Sequence, residues 1–282
     1  MTQPTTPGFG ARLREAVDGR GPLCAGIDPH VGLLDTWGLT DSVNGLEKFA
    51  LGAAEALAPV VAAVKPQSAF FERFGSRGVA VLERVVEISR EAGALVVLDV
   101  KRGDIGSTAQ AYADAYLDPL SPIAVDAITA SPYLGFGSLA PMIDTAREHG
   151  TGVFVLALTS NPEAPAFQRA RTEAGPTVAG TVLDQLRTLN SGVDPLGSFG
   201  AVVGATIGDT TEDLAVNGPL LVPGIGAQGG TADDVRRIFG DVLDLVLPSS
   251  SREILGAGPD PASLLAAAGR SLDAFTALRR GR

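Results

Sequence analysis

The sequence predicts an α/β protein built as a single eight-stranded parallel β/α barrel, a TIM barrel. Eight short apolar stretches recur along the 282 residues, and helical sequence follows each of them. Alternation of this kind implies a parallel sheet with crossover helices, and eight repeats over this length fit a barrel better than an open sheet. No Pro/Ser-rich linker or change of composition divides the chain, so one domain over residues 1–282 is expected.

The predicted strands are short apolar runs bounded by charges, prolines or polar clusters. They cover residues 23–27, 60–66, 96–101, 123–129, 152–158, 200–205, 220–223 and 242–247. Helical spacing of apolar residues predicts helices over 11–18, 47–59, 79–92, 109–117, 142–149, 178–189 and 261–279. Ser107 with Gln110 predicts a capping box at the start of the fourth of these. Residues 1–10 are expected to form a loose arm, and residues 162–198 an extended connection after the fifth strand.

The composition argues against several classes of function. A formal net charge of −10 is unfavourable for a nucleic-acid or anionic-membrane surface. One cysteine rules out an intrachain disulfide framework, and with two histidines no zinc or other metal cluster is predicted. The sequence does not open with a secretory signal, and no apolar run is long enough to span a bilayer. A soluble cytoplasmic protein is therefore expected.

The most informative segment is the third predicted strand and its exit, residues 96–108. Asp99 and Lys101 are two positions apart, so alternation places both side chains on one face of the strand end. Gly103 permits a sharp exit that can bring Asp104 back toward the same region. Two carboxylates around one ammonium would keep Lys101 charged, as a proton donor held ready. A surface salt bridge at a strand end is the alternative that the charge pattern leaves open.

Polar side chains also follow other predicted strands. Asp28, Lys65 and Ser131 stand at the ends of the first, second and fourth strands. The active site of a β/α barrel lies at the carboxyl ends of its strands. We therefore expect these side chains to converge with Asp99 and Lys101 on one site.

A glycine-rich segment, residues 223–230, contains the Gly-x-Gly-x-x-Gly pattern of dinucleotide-binding folds. It follows the seventh of eight strands, where too little chain remains to complete such a fold. A flexible lid over a ligand is the better interpretation, with Gln228 supplying hydrogen-bond donors and an acceptor. Barrels often bind phosphate in the loops after strands seven and eight, so Arg252 and nearby backbone N–H groups predict a phosphate site.

The charged segment contains the pattern Asp-x-Lys-x-x-Asp-Ile-x-x-Thr, formed by Asp99, Lys101, Asp104, Ile105 and Thr108. This pattern resembles the signature of the orotidine 5′-phosphate decarboxylase family, and the similarity, which extends over nearly the whole chain, looks like the longer bacterial branch. The resemblance implies substrate contacts by Asp28 and Lys65 at the ribose, Ser131 and Pro223 at the pyrimidine ring, Gln228 at phosphate and base, and Arg252 at the phosphate. Ser251 departs from the family, which often has glycine there, so a variant phosphate loop is expected.

The resemblance also implies a reaction, the loss of CO2 from orotidine 5′-monophosphate to give uridine 5′-monophosphate in pyrimidine synthesis. Lys101 would stabilise and then protonate a carbanion at C6, while Asp99 and Asp104 hold it in place. No metal or organic cofactor is called for. A homodimer is implied, in which Asp104, with Ile105 and Thr108, reaches the partner's site.

Three alternatives stay open on the residues alone. A sugar-phosphate decarboxylase or aldolase that stabilises an enediolate with Mg2+ would need carboxylates free to hold the ion, whereas Lys101 lies between the acids. A Schiff-base aldolase would need a deprotonated Lys101, contrary to its acidic neighbours. A non-catalytic nucleotide-binding barrel would have no need of the intact charged segment.

Overall fold

The predicted TIM barrel is confirmed by the computed structural model, which describes residues 7–225, 229–230 and 232–280. Eight parallel strands pair in chain order, and β1 pairs with β8 to close the sheet. They are β1 (Cys24–Ile27), β2 (Ala63–Pro66), β3 (Leu95–Arg102), β4 (Ala127–Ala130), β5 (Gly152–Leu158), β6 (Phe199–Val203), β7 (Leu220–Pro223) and β8 (Val246–Ser250). The extent of the single domain, residues 1–282, stays a prediction.

Helices alternate with the strands, and those after the first one surround the barrel. They are α1 (Phe9–Arg20), α2 (Val31–Thr36), α3 (Val43–Leu57), α4 (Ser68–Glu72), α5 (Ser76–Glu91), α6 (Gly106–Leu117), α7 (Ala140–His149), α8 (Ala164–Gln168), α9 (Val178–Leu189), α10 (Ala232–Phe239), α11 (Arg252–Leu255) and α12 (Pro261–Arg280). Short 3-10 helices, Phe136–Leu139 and Gly240–Leu245, precede α7 and β8. Among the described helices, none combines the length and the apolar character that a membrane crossing requires.

Strand residues alternate between two apolar layers, because successive side chains point to opposite faces of a sheet. On β3, Val97 packs in the barrel interior, whereas Val96 and Leu98 pack in the layer between sheet and helices. The interior-facing series continues from Val97 to Asp99 at the carboxyl end of the strand. The alternation of β3 thus aims a carboxylate into the mouth of the barrel.

Helix α1 closes the amino-terminal end of the barrel. Phe9 is fully buried there, with its ring centroid 5.8 Å from that of Phe154 in an edge-to-face arrangement. Arg12 forms an ion pair with Asp126, which also accepts a 2.9 Å hydrogen bond from a β3 backbone N–H. The loose arm predicted over residues 1–10 is therefore too long, because α1 begins at Phe9 and the side chain of this residue is buried.

Several predicted strand boundaries are wrong, and those of the fourth and eighth strands differ most from the structure. The fourth strand was expected over 123–129 and is Ala127–Ala130, and the eighth was expected over 242–247 and is Val246–Ser250. The apolar residues before β8 form a 3-10 helix instead. A short apolar run has no period that separates strand from helix, so its position alone cannot decide the assignment.

The predicted capping box is also wrong. Helix α6 begins at Gly106, and no side-chain hydrogen bond caps it. Ser107 lies inside the first turn, and the Gln110 amide donates instead to Asp114 and Thr145. Helix α6 therefore begins three residues earlier than the predicted start at residue 109.

Candidate active site

A cavity of about 400 Å3 opens at the carboxyl ends of the strands. Six of the predicted site residues line it: Asp28, Lys65, Asp99, Lys101, Pro223 and Arg252. It is also lined by polar residues that were not predicted, among them Gln67, Thr129, Thr159, Ser160, Asn161 and Ser249. Below these groups, Val202 and Leu221 join the cavity to the apolar interior of the barrel. The expected convergence is therefore observed for Asp28, Lys65, Asp99 and Lys101, whereas Ser131 does not line the cavity.

Strand alternation explains why the charges stand at this level of the barrel. On β2, Lys65 lies two positions beyond the interior residue Ala63, and on β3 Asp99 lies two positions beyond Val97. Thr129 occupies the corresponding level of β4. Polar side chains thus form a layer directly above the apolar filling of the barrel.

Asp99 is the centre of a charged array. Its Oδ2 accepts a hydrogen bond from Lys65 Nζ at 3.1 Å, and its Oδ1 accepts bonds from Lys101 Nζ at 2.6 Å and from Thr129 Oγ1 at 2.7 Å. Asp28 Oδ1 lies 3.8 Å from Lys65 Nζ on the other side. One carboxylate therefore joins a buried ammonium to a second ammonium that is half exposed at the cavity.

The environment fixes the charges of this array. Burial alone would lower the pKa of the Lys65 ammonium, but the carboxylates of Asp28 and Asp99 outweigh burial and raise that pKa above its ordinary value. Burial alone would raise the pKa of the Asp99 carboxyl, but the ammonium groups of Lys65 and Lys101 and the bond from Thr129 lower that pKa well below its usual range. At neutral pH Lys65 is protonated and Asp99 is ionised.

The backbone at Lys101 departs from an ideal strand. Its φ is +46°, and the register between β3 and β4 shifts between Leu98 and Arg102. A left-handed conformation in a residue with a Cβ costs on the order of 1 kcal/mol, so the surroundings must hold it. Thr129 does so, because its Oγ1 accepts a 2.9 Å bond from the Lys101 N–H while donating to Asp99.

The ends of β7 and β8 form another wall of the cavity. A Cβ on Gly26 would lie 2.6 Å from the Cβ of Ser251, so this glycine lets the loop after β8 pass close to β1. Gly224, with φ +96°, turns the chain out of β7 beside it. Arg252 lines the cavity, and within the described ranges its exposed guanidinium has no hydrogen bond or ion pair. This cation is available to an anionic ligand.

Comparison with known proteins assigns the chain. A family model described as "Orotidine 5′-phosphate decarboxylase / HUMPS family" matches residues 21–268. The chain belongs to the orotidine 5′-phosphate decarboxylase family. Proteins named orotidine 5′-phosphate decarboxylase are 70% identical over 250 residues in Nocardioides sp. (88% of this chain, 91% of the relative) and 66% identical over 265 residues in Salinispora arenicola (94% and 95%). The structure of Leishmania donovani OMP decarboxylase matches with a TM-score of 0.72 and 31% identity, over 96% of this chain and 99% of that one.

Of the signature residues of the decarboxylase family, Asp104 does not reach Lys101 of its own chain. Its Oδ1 accepts a 2.8 Å bond from the N–H of Ile105, and the described residues include no ion pair between Asp104 and Lys101. Ile105 and Thr108 are exposed on the rim of the barrel. The expectation that the chain turns Asp104 back toward Lys101 is therefore wrong within one subunit, because the chain continues directly into α6.

Two further residues, Ser131 and Gln228, were predicted to contact the substrate. Ser131 is not among the residues that line the cavity, and its backbone N–H donates to the Arg102 carbonyl at 2.8 Å. Ser160 lines the cavity instead, and its hydroxyl has no partner among the described residues. The strand-end rule that selected Asp28 would also have selected Ser160, which follows β5 closely. Gln228 lies outside the described residues, so its predicted contacts stay a prediction.

Proposed function

We propose that this cavity removes CO2 from orotidine 5′-monophosphate to form uridine 5′-monophosphate, with Lys101 as the proton donor. The family model includes this decarboxylase in its description, and relatives that are 70% and 66% identical to the chain are named for the same activity. One observation carries the assignment of roles: Lys101 Nζ stands 2.6 Å from Asp99 Oδ1 in a cavity that Arg252 also lines. A nucleotide can thus have its phosphate at one wall and its reacting carbon at another.

The order of the strands supports this placement. In a closed barrel of eight strands, β8 lies opposite β4, and β1 lies opposite β5. A phosphate bound by Arg252 after β8 would therefore leave the base near the ends of β3, β4 and β5, where Lys101 stands. Asp28 and Lys65 lie between these regions and would bind the ribose hydroxyls, and Pro223 would pack against the ring. Gln228, which lies outside the described residues, would contact both the phosphate and the base.

The reaction needs a cationic group close to C6 of the pyrimidine ring. Departure of CO2 breaks the bond between C6 and its carboxylate and leaves the electron pair on C6. The Lys101 ammonium stabilises that charge as it develops and transfers one proton to C6, and the resulting amine takes a proton from water. Asp99 holds Lys101 in position and favours its charged form. Binding energy gained at the phosphate raises the rate only when it is expressed in the transition state.

We infer that the active enzyme is a homodimer that completes each site. Asp104 stands on the rim away from Lys101 of its own chain, and exposed apolar side chains are found in the rim segments around it. These are Ile105, Tyr133, Leu134 and Phe167, with the rings of Tyr133 and Phe167 5.4 Å apart. Apolar side chains exposed together commonly mark a protein interface. A second copy seated there would bring its Asp104, Ile105 and Thr108 to the neighbouring cavity.

We assign the enzyme to the cytoplasm. Its proposed substrate and product are nucleoside monophosphates, and their charges keep them from crossing a bilayer. An enzyme that acts on them must share their compartment, where pyrimidine nucleotides are made.

A magnesium-dependent sugar-phosphate enzyme is the main rival. Among the described residues no three His, Cys, Asp or Glu side chains lie together in a metal-binding arrangement. The oxygens of Asp99 already accept bonds from Lys65 and Lys101. The carboxylate of Asp99 is therefore paired with lysine ammonium groups and is not free to bind a metal ion, which favours the decarboxylase over the magnesium-dependent enzyme.

Purified wild-type protein is expected to convert orotidine 5′-monophosphate to uridine 5′-monophosphate at the same rate with and without EDTA. The reaction can be followed by ultraviolet absorbance, and the product can be identified by chromatography. Loss of turnover in EDTA, restored by Mg2+, would favour the rival. Tight nucleotide binding without any turnover would favour a non-catalytic barrel.

A further inference from the structure

One wall of the cavity is hydrogen-bonded to a residue of the connection between β5 and β6 that does not itself line the cavity. Thr159, Ser160 and Asn161 follow β5 directly and line the cavity. Helix α8 comes next, and its last residue, Gln168, is half-buried. Gln168 does not line the cavity, but its side chain is bonded to a residue that does.

The carboxamide of Gln168 forms two hydrogen bonds with Thr159. Its Oε1 accepts a 2.8 Å bond from the Thr159 backbone N–H, and its Nε2 donates a 2.8 Å bond to Thr159 Oγ1. A backbone N–H can only donate, so the oxygen of Gln168 must face it and the nitrogen must face the hydroxyl. The orientation of this amide is therefore determined by its partner.

These two hydrogen bonds also orient the side chain of Asn161, another polar residue of the wall. Because Thr159 Oγ1 accepts a hydrogen bond from Gln168, its own hydrogen is free to be donated to Asn161 Oδ1, at 2.7 Å. Asn161 Nδ2 then donates to Glu163 Oε2 at 2.9 Å, and this bond is the main reason that the pKa of the Glu163 carboxyl is lowered. Ser160 stands between two oriented neighbours with its hydroxyl free for a ligand.

This wall is on the side of the cavity where the proposed function places the base. A pyrimidine ring carries an N–H donor between two carbonyl acceptors, so it needs polar groups in fixed positions. The hydroxyl of Ser160 can donate and accept, and an amide hydrogen of Asn161 can donate. Sites that pair with such ring groups discriminate strongly, because a misplaced partner leaves a buried polar group unpaired.

We propose that Gln168 is a positioning residue that sets the geometry of the base-binding wall through Thr159. This inference rests on the proposed function, since it assumes that a pyrimidine nucleotide occupies the cavity. It gives part of the 162–198 connection a role in substrate recognition. Gln168 itself touches no substrate, and it acts only through the residues after β5.

Gln168→Leu is the test variant, and Gln185→Leu is its matched control. Gln185 lies in α9 of the same connection, and it is exposed. With two neutral hydrogen bonds removed, Gln168→Leu is expected to raise KM for orotidine 5′-monophosphate about tenfold and to change kcat by less than about threefold. Gln168→Glu keeps an acceptor for the Thr159 N–H but cannot donate to its hydroxyl, so its KM should lie between those of wild type and Gln168→Leu. Gln185→Leu should behave as wild type.

Binding of two ligands by calorimetry separates positioning from general disruption. Gln168→Leu is expected to weaken binding of uridine 5′-monophosphate about tenfold and to leave binding of ribose 5-phosphate, which lacks a base, unchanged. Equal weakening of both ligands, or unchanged binding of both together with a wild-type KM, would overturn the inference. Absence of decarboxylation by wild type would overturn the proposed function instead. The binding of the two ligands could still be measured, because it does not depend on turnover.

Discussion

Mixed dimers of Lys101→Ala and Asp104→Ala are expected to recover about a quarter of wild-type activity, although each variant alone is inactive. If each cavity uses Lys101 of one chain and Asp104 of the other, a mixed dimer contains one site with both residues and one with neither. Random pairing makes about half of the dimers mixed, and one of their two sites works. Each variant alone should lose about 10^3-fold or more in kcat/KM, as expected for charged groups at the reacting carbon. Turnover of orotidine 5′-monophosphate by co-expressed, differently tagged chains is the measurement.

A matched mixture provides the control. Lys101 and Asp99 belong to one chain and lie 2.6 Å apart, so mixing Lys101→Ala with Asp99→Ala leaves a defect in every site and should restore nothing. Light scattering on a sizing column verifies that both mixtures contain dimers. A monomeric wild type that is fully active, or equal recovery in both mixtures, would contradict the shared site.

Asp99→Asn is expected to damage both activity and stability. The amide cannot hold the Lys101 ammonium as a counter-ion, so kcat/KM should fall about 10^3-fold. Lys65 is buried and would keep only Asp28, whose Oδ1 is 3.8 Å away. Breaking a buried ion pair of this kind costs about 3 kcal/mol in the free energy of unfolding. Chemical denaturation and steady-state kinetics on the same preparation measure both effects.

The pH dependence of that stability difference has a definite sign. The pKa of Asp99 is lowered in the folded state, so its contribution is complete above the unfolded carboxyl pKa of about 4 and is lost as the pH falls through the folded value. The pKa of Lys65 is raised, so its contribution is complete below the unfolded value of about 10. The difference between wild type and Asp99→Asn should therefore be constant between about pH 5 and pH 9 and shrink under more acid conditions.

Asp126→Asn is the matched control for this variant. Asp126 is equally buried, but it pairs with Arg12 at the amino-terminal end of the barrel, far from the cavity. Its replacement should reduce stability and leave kcat/KM close to wild type. If Asp99→Asn lowered stability alone and kept its activity, the role of Asp99 in holding Lys101 would be refuted.

The sequence was sufficient for the barrel and for the centre of the site, because both depend on local patterns. Period-two alternation along β3 placed Asp99 and Lys101 on one face, and the strand-end rule of β/α barrels selected Asp28 and Lys65. The structure joins Asp99, Lys101 and Lys65 by direct hydrogen bonds. These features need no knowledge of distant contacts.

The features that the sequence did not yield depend on tertiary contacts. The left-handed backbone at Lys101 is held by Thr129 on the neighbouring strand, and no local pattern signals it. Ser131 and Ser160 both closely follow a strand, and only the fold shows that Ser160 lines the cavity whereas Ser131 does not. The bond from Gln168 to Thr159 spans nine residues across a loop, which propensity and periodicity do not register.

The partnership of Asp104 is a separate case. Spacing alone suggested that it turns back toward Lys101, whereas the structure bonds it to the adjacent Ile105 backbone on the rim. Sequence spacing carries no information about contacts between two copies of a chain. Only the resemblance to the family predicts that Asp104 acts in the site of a partner subunit.

A single-turnover measurement with enzyme in excess over orotidine 5′-monophosphate tests the role of Lys101 most directly, because it isolates the chemical step. Wild type should consume the substrate in one exponential phase of ultraviolet absorbance. Lys101→Ala is used at a concentration that a separate binding measurement with uridine 5′-monophosphate shows to be sufficient for nucleotide binding. Under these conditions it should react about 10^4-fold more slowly or not at all. Lys48→Ala, which removes an exposed ammonium on α3, should match wild type. A Lys101→Ala protein that decarboxylates its bound substrate at the wild-type rate would contradict the account.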